Sequence, residues 1–159
     1  MSDYGLFYRD WKNKIFNYLV RMTGDGILAG DIMQETFTRH LGHYGEANRD
    51  TPLLYRIAHN CFMDEMRRRR KQGEVTETEG QQPSIDQGHR LMIRSEYRCV
   101  LSAMASLEEN EREILSLAAG GELSYSEIAS LVGISEANVK VKVHRARLKL
   151  RKILKEGDI

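Results

Sequence analysis

Apolar residues recur at three- and four-residue intervals along most of the chain, the spacing that lines one side of an α-helix. Phe7, Trp11, Ile15, Leu19 and Met22 make the first stripe, which Gly24 ends. Met33, Phe37 and Leu41 carry a second, predicted to start near Ala29 to Asp31, where an aspartate suits the positive end of the helix dipole, and to stop before Gly42 and Gly45. Residues 45–51 read as a loop. Pro52 then fits the first turn of a third helix reaching Arg70, with Leu54, Ile57, Ala58, Cys61 and Met66 turned inward. Further on, Tyr97, Val100, Leu101 and Met104 form one stripe. Ser106 with Glu109, and Ser124 with Glu127, have the S-x-x-E spacing of capping boxes, each predicted to open a helix. Gly120 and Gly121 end the first of these, and the second runs to about Leu131 before Val132, Gly133 and Ile134. Ser135 caps a last, long helix predicted through about Leu154. No useful length of strand-like alternation occurs, so the fold class is all-α.

Between Gln72 and His89 the pattern lapses. The stretch QGEVTETEGQQPSIDQGH is polar, contains Gly and Pro and has almost no large apolar residue, which reads as a flexible linker. It divides the chain into two small helical domains, 1–71 and 90–159, joined by residues 72–89. Fully extended, such a linker spans at most about 60 Å, more than one DNA turn of about 34 Å.

Composition narrows the class. The chain has 159 residues, 41% hydrophobic and 30% charged, with only two prolines, which suits thinly packed helical modules. No run approaches the roughly 18 to 20 apolar residues of a spanning helix, and the first residues lack the apolar core of a signal peptide, so no membrane insertion and a cytoplasmic location are expected. Cys61 and Cys99 lie far apart within helical patterns, which argues against a disulfide framework or a four-ligand metal site. His40, His43 and His59 form no metal-binding spacing either, and no Walker, HExxH or GxSxG pattern is present. The expectation is a non-enzyme without cofactor or metal.

Net charge is only +1, from 24 Lys and Arg against 23 Asp and Glu, yet the charges are segregated. Arg67, Arg68, Arg69, Arg70 and Lys71 are consecutive, whereas the linker carries Glu74, Glu77, Glu79 and Asp86 with no Lys or Arg. From Ala137 to Lys155 there are eight Lys and Arg and no acid. This asymmetry points to a polyanion touched at two places.

Ile128, Ala129, Gly133, Ile134 and Val139 are spaced as a helix-turn-helix requires: a small residue where two helices cross, a glycine for the turn, and branched residues sealing the angle. In the following helix Val139, Val143, Ala146, Leu150 and Ile153 form an inward seam, with Lys140, His144, Arg145, Lys149 and Lys152 away from it. An apolar seam backing a basic face suits a helix that enters the major groove, held by phosphate contacts while a few side chains reach base edges.

Asp31-Ile-Met-Gln34-Glu35-Thr-Phe37, then Leu54-Tyr-Arg-Ile57-Ala58-His-Asn60 with Asp64 and Arg67, then the stretch from Ser124 to Leu150, follow one another in an order that resembles an extracytoplasmic-function (ECF) sigma factor. These are the small two-domain class of sigma-70 transcription initiation factors, and the resemblance spans nearly the whole chain. It implies a factor that binds core RNA polymerase, directs it to promoter DNA and helps open the duplex. On that resemblance Asp31, Gln34 and Glu35 are the core polymerase contacts. The third helix and the loop 45–51 capture the minus-10 element as a single strand, with Asn60 lining a base pocket and Arg67, Arg68, Arg69, Arg70 and Lys71 on phosphates. Extracting a base costs a few kcal/mol that such a pocket must recover. Lys140, His144, Arg145 and Lys149 are the minus-35 contacts. Relatives often carry Trp at Leu53 and Ser at Val141, so those two positions depart from the pattern. The acidic linker is placed by the resemblance along the polymerase channel that later holds RNA. An anti-sigma factor is an expected partner, since no long C-terminal extension could act as an internal inhibitor.

The rival reading is a helix-turn-helix regulator of response-regulator effector type that never joins the polymerase core. It needs a phosphoacceptor or ligand module in the first half, and no β/α alternation supplies one.

Overall fold

The computed structural model describes residues 3–73 and 95–157. Most of the predicted linker, with Glu74, Glu77, Glu79 and Asp86, lies outside the described residues. Among the described residues every regular element is a helix: α1 Asp3–Thr23, α2 Gly26–Tyr44, α3 Thr51–Lys71, α4 Ser95–Ala105, α5 Glu109–Ala119, α6 Tyr125–Val132 and α7 Glu136–Gly157.

Local chemistry sets most boundaries. Gly24 takes a positive φ of 68° and its N–H closes on the Val20 carbonyl, ending α1. Asp50 caps α3 by accepting from the Leu53 N–H at 3.2 Å, with Pro52 in the first turn. The Ser124 hydroxyl accepts from the Glu127 N–H at 3.0 Å while the Glu127 carboxylate accepts from the Ser124 N–H at 2.8 Å, a complete capping box. Gly133 closes α6 in the left-handed region at φ 78°, where a Cβ would be strained. The Ser135 hydroxyl then accepts from the Asn138 N–H at 3.1 Å and opens α7.

Several expectations are corrected. Helix α2 starts at Gly26, not near Ala29 to Asp31, because Asp25 is the better cap: one carboxylate oxygen accepts from both Ile27 and Leu28 N–H. The same helix runs through Gly42 to Tyr44, and its inward line is Ile32, Thr36, Phe37 and His40, leaving Leu41 exposed. Helix α5 is opened by Glu108 and Glu111, whose carboxylate accepts from the Glu108 N–H at 3.2 Å, while Ser106 turns its hydroxyl back to the Ser102 carbonyl. On α3, Tyr55 and Phe62 join the buried side and Met66 is only half-buried.

Helices α1, α2 and α3 pack side by side, and α7 lies across α4, α5 and α6. The two sets are seated on one another. One continuous apolar cluster runs from Tyr4 and Phe7 through Tyr18 and Tyr55 to Ile114, Leu117, Ile128 and Val143. Tyr18 and Tyr55, both fully buried, meet edge to face with centroids 5.5 Å apart. Burial pushes the Tyr55 phenol up to about 12 and the Tyr18 phenol higher still. Polar contacts rim this seam. Arg21 donates through Nε and Nη2 to the Ser116 carbonyl at 3.2 and 2.9 Å, and Lys14 lies 3.3 Å from Glu122.

Candidate nucleic-acid interface

The basic face of α7 exists because its other side is buried. Val139, Val143 and Ala146 are at most 1% exposed, and Ile128 and Ala129 of α6 close the angle beneath them. Helix geometry then forces Lys140, His144 and Arg145 outward, and all three are exposed. No carboxylate pairs with them among the described residues. Val141 stands beside them, 43% exposed, which leaves an apolar methyl surface within the basic one. Lys149 differs: its ammonium lies 2.7 Å from Glu111 of α5, a contact that holds the ammonium above and the carboxyl below their ordinary ranges. Thus three of the four predicted groove residues share a free outer face, and the fourth leans towards α5.

The run on α3 has another character. Five consecutive residues at about 100° each wrap around a helix instead of lining one side. Arg67 pairs with Asp64 at 3.3 Å, and Glu65 receives both Arg68 and Arg69, each through Nε at 3.1 Å. These contacts, Arg68 first, hold the Glu65 carboxyl below its usual range. Arg70 and Lys71 complete an exposed end, where basic residues also complement the negative pole of the helix dipole.

Asn60 is exposed one residue beyond His59. His59 faces the other half of the molecule, its Nδ1 3.1 Å from a Glu113 carboxylate oxygen, close enough for an ion pair but out of line for a hydrogen bond. Burial pushes the Glu113 carboxyl up, and His59 opposes that push. Together with Met63, Glu108, Glu109 and Asn110 these two line an open groove of about 450 Å³ between α3 and the start of α5. Sequence periodicity has no signal for this groove, because its walls lie about fifty residues apart.

On α2, Asp31, Gln34 and Glu35 are all exposed on one flank. Gln34 donates from its amide to the Tyr8 hydroxyl at 3.0 Å. Glu35 accepts from Arg39 at 2.9 Å, and Arg39 reaches on to Asp64 of α3 at 2.9 Å, bonds that raise the guanidinium pKa further. The three predicted polymerase contacts are therefore brought together, two of them oriented by neighbours. Leu53, at a position that departs from the family pattern, is half-buried against the core. Among the described residues no cluster of His, Cys, Asp and Glu could hold a metal ion, and no helix is long and apolar enough to cross a membrane.

Comparison with known proteins assigns both halves. The sigma-70 region 2 family matches residues 7–72, and the sigma-70 region 4 family matches residues 97–150. The ECF RNA polymerase sigma factor SigM of Bacillus subtilis is 33% identical over 159 residues, covering 94% of each protein. The RNA polymerase sigma factor CarQ of Myxococcus xanthus is 31% identical over 149 residues, covering 92% of this chain and 86% of that one. Among solved structures, the sigma factor RpoE of Bartonella quintana, in complex with the anti-sigma factor NepR, superposes with a TM-score of 0.74 at 21% identity over 98% of both chains. CnrH in complex with the cytosolic domain of CnrY gives 0.68 at 22% identity, over 96% of this chain and 88% of that one.

Proposed function

The chain belongs to the ECF sigma factors of the sigma-70 family, and from that premise we propose how its two halves divide the work of promoter recognition. It is an RNA polymerase sigma factor, and the response-regulator alternative is not favoured, because a region 2 match fills the half in which that alternative needs a receiver. The observation that carries this is the succession of both regions in one chain.

In this reading residues 1–71 are the region 2 domain, 72–89 the linker and 90–159 the region 4 domain. Asp31, Gln34 and Glu35 dock on core polymerase, and the ordering of Gln34 by Tyr8 and of Glu35 by Arg39 supports a presented, low-entropy polar flank. Asn60 and the loop 45–51 take the extruded minus-10 base, the amide donating to and accepting from its exposed edge. Arg67, Arg68, Arg69, Arg70 and Lys71 neutralise the strand behind it. Lys140, His144 and Arg145 enter the minus-35 major groove, where Arg145 pairs with guanine O6 and N7 and Val141 meets a thymine methyl. Lys149, tied to Glu111, sits at the edge of that footprint.

The protein works in the cytoplasm, has no catalytic activity of its own, and is held by an anti-sigma factor until needed. The structural neighbour solved with the anti-sigma factor NepR supports that reading. Run-off transcription with core polymerase on a promoter library, with and without this protein, tests function and preference together. Start sites that depend on the protein and share elements at minus 35 and minus 10 are expected. An unchanged pattern of starts overturns the reading.

A further inference from the structure

His40 is completely buried at the end of α2, and no interface described above uses it. Its ring lies against Phe7, centroids 5.4 Å apart, and against Tyr4 at 5.8 Å. Nδ1 sits 3.2 Å from the Tyr4 hydroxyl, whose single proton is shared between Nδ1 and the Phe37 carbonyl at 3.1 Å. Nε2 points the other way, out of the core, and meets the Asn48 side-chain oxygen at 3.2 Å.

That oxygen is identified by a second bond, since the Asp50 N–H donates to it at 2.9 Å. An atom that accepts from a backbone N–H is the amide oxygen, so Nε2 carries the proton and His40 is the donor. Asp50 in turn caps α3, accepting from Leu53 on its side chain and from Leu54 on its carbonyl. A chain of bonds thus runs from the aromatic core through His40 and Asn48 to the first turn of α3. Asn48 is the half-buried residue of a segment in which Gly45, Glu46, Ala47, Arg49 and Asp50 are exposed. Arg49 closes the other side, its guanidinium 4.9 Å from the Phe7 ring while it donates to the Glu46 and Asn48 carbonyls.

We propose that His40 is a positioning residue for promoter recognition: by clamping Asn48 it holds residues 45–50 in the shape that receives the extruded minus-10 base. The inference rests on the reading of this loop as part of the minus-10 pocket. A recognition loop must be fixed to within about 0.5 Å to discriminate bases, and an exposed segment whose only half-buried side chain is Asn48 depends on that anchor.

The test uses the full chain with core polymerase and a promoter library varied at minus 10 and, separately, at minus 35. His40→Phe keeps the ring stack and removes the donor, while the Tyr4 hydroxyl still has the Phe37 carbonyl. His40→Gln restores a side-chain N–H towards Asn48, and Asn48→Ala removes the acceptor from an exposed loop, so it remains informative should His40→Phe not fold. Discrimination at one minus-10 base is expected to fall about 3- to 10-fold in His40→Phe and in Asn48→Ala, the loss of roughly one hydrogen bond. The double variant should lose no more than either alone, His40→Gln should recover most of it, and minus-35 preferences should not move. Unchanged minus-10 discrimination in both single variants, with altered discrimination on substituting Glu46 and Ala47, overturns the positioning role and leaves the loop reading standing. No response to Glu46 and Ala47 substitutions either overturns the loop reading itself, and the positioning role with it.

Discussion

The two halves carry their exposed polar and charged groups in opposite ways. In the first, the groups proposed as contacts are already engaged: Gln34 with Tyr8, Glu35 through Arg39 to Asp64, and Arg67, Arg68 and Arg69 with the carboxylates one turn earlier. In the second, Lys140, His144 and Arg145 stand free on a helix whose underside is dry. A run of arginines in a sequence is therefore not the same object as a basic surface. What matters is angular spacing and whether acids stand at three or four residues' distance, where helix geometry makes them partners.

The free face should be the more fragile because it depends on buried support. Ile128→Ala removes the side chain beneath the angle of α6 and α7 and should cost about 2 to 5 kcal/mol in chemical denaturation, taking minus-35 binding with it. Next in size, Gln34→Ala with Glu35→Ala should weaken core-polymerase association by about 1.5 to 3 kcal/mol, the worth of charged hydrogen bonds, without shifting the circular-dichroism melt. Unaltered association removes these residues from the docking surface. Arg145→Ala should reduce discrimination at one or two minus-35 base pairs by about 1 to 3 kcal/mol; identical base preferences with and without it in a promoter-mutation series would exclude that role.

Smaller effects should come from the engaged half. Glu65→Gln uncharges the shared partner of Arg68 and Arg69, making α3 more like α7. Affinity for single-stranded DNA should rise, and its dependence on log salt should steepen by about 0.7 for each phosphate gained; an unchanged slope means those arginines were never held back. Smallest is the pH response. The Glu65 and Glu111 carboxyls are held below their ordinary value in the fold, so the native state binds fewer protons there. Their contribution is present at neutral pH and is lost as pH falls through the ordinary glutamate range and below. Acid-limb thermal melts of Glu111→Gln should fall less steeply than those of the parent.

Local signals were legible and distant ones were not. The helix-turn-helix was readable because Ser124, Glu127, Gly133 and Ser135 act on backbone groups within a few residues, and the α7 seam because its period is that of a helix. Asp25 was missed as the start of α2 because Asp31, six residues on, also suits a helix beginning; only the fold shows that Asp25 reaches the free N–H groups. Lys149 read as an outward cation, yet Glu111 that claims it lies on another helix. The sequence shows of His40 only that it has no metal-binding spacing, since nothing in that spacing reveals the ring stack or Asn48. The pairing of Arg21 with Ser116 was equally silent, linking positions 95 residues apart.

That last contact and the Tyr18–Tyr55 pair belong to the seam on which the two sets of helices meet. Separating the two sets of helices would wet that seam at a cost of about 25 cal/mol for every Å² of apolar surface uncovered. Any partner that held the halves apart would have to supply contacts that offset this cost.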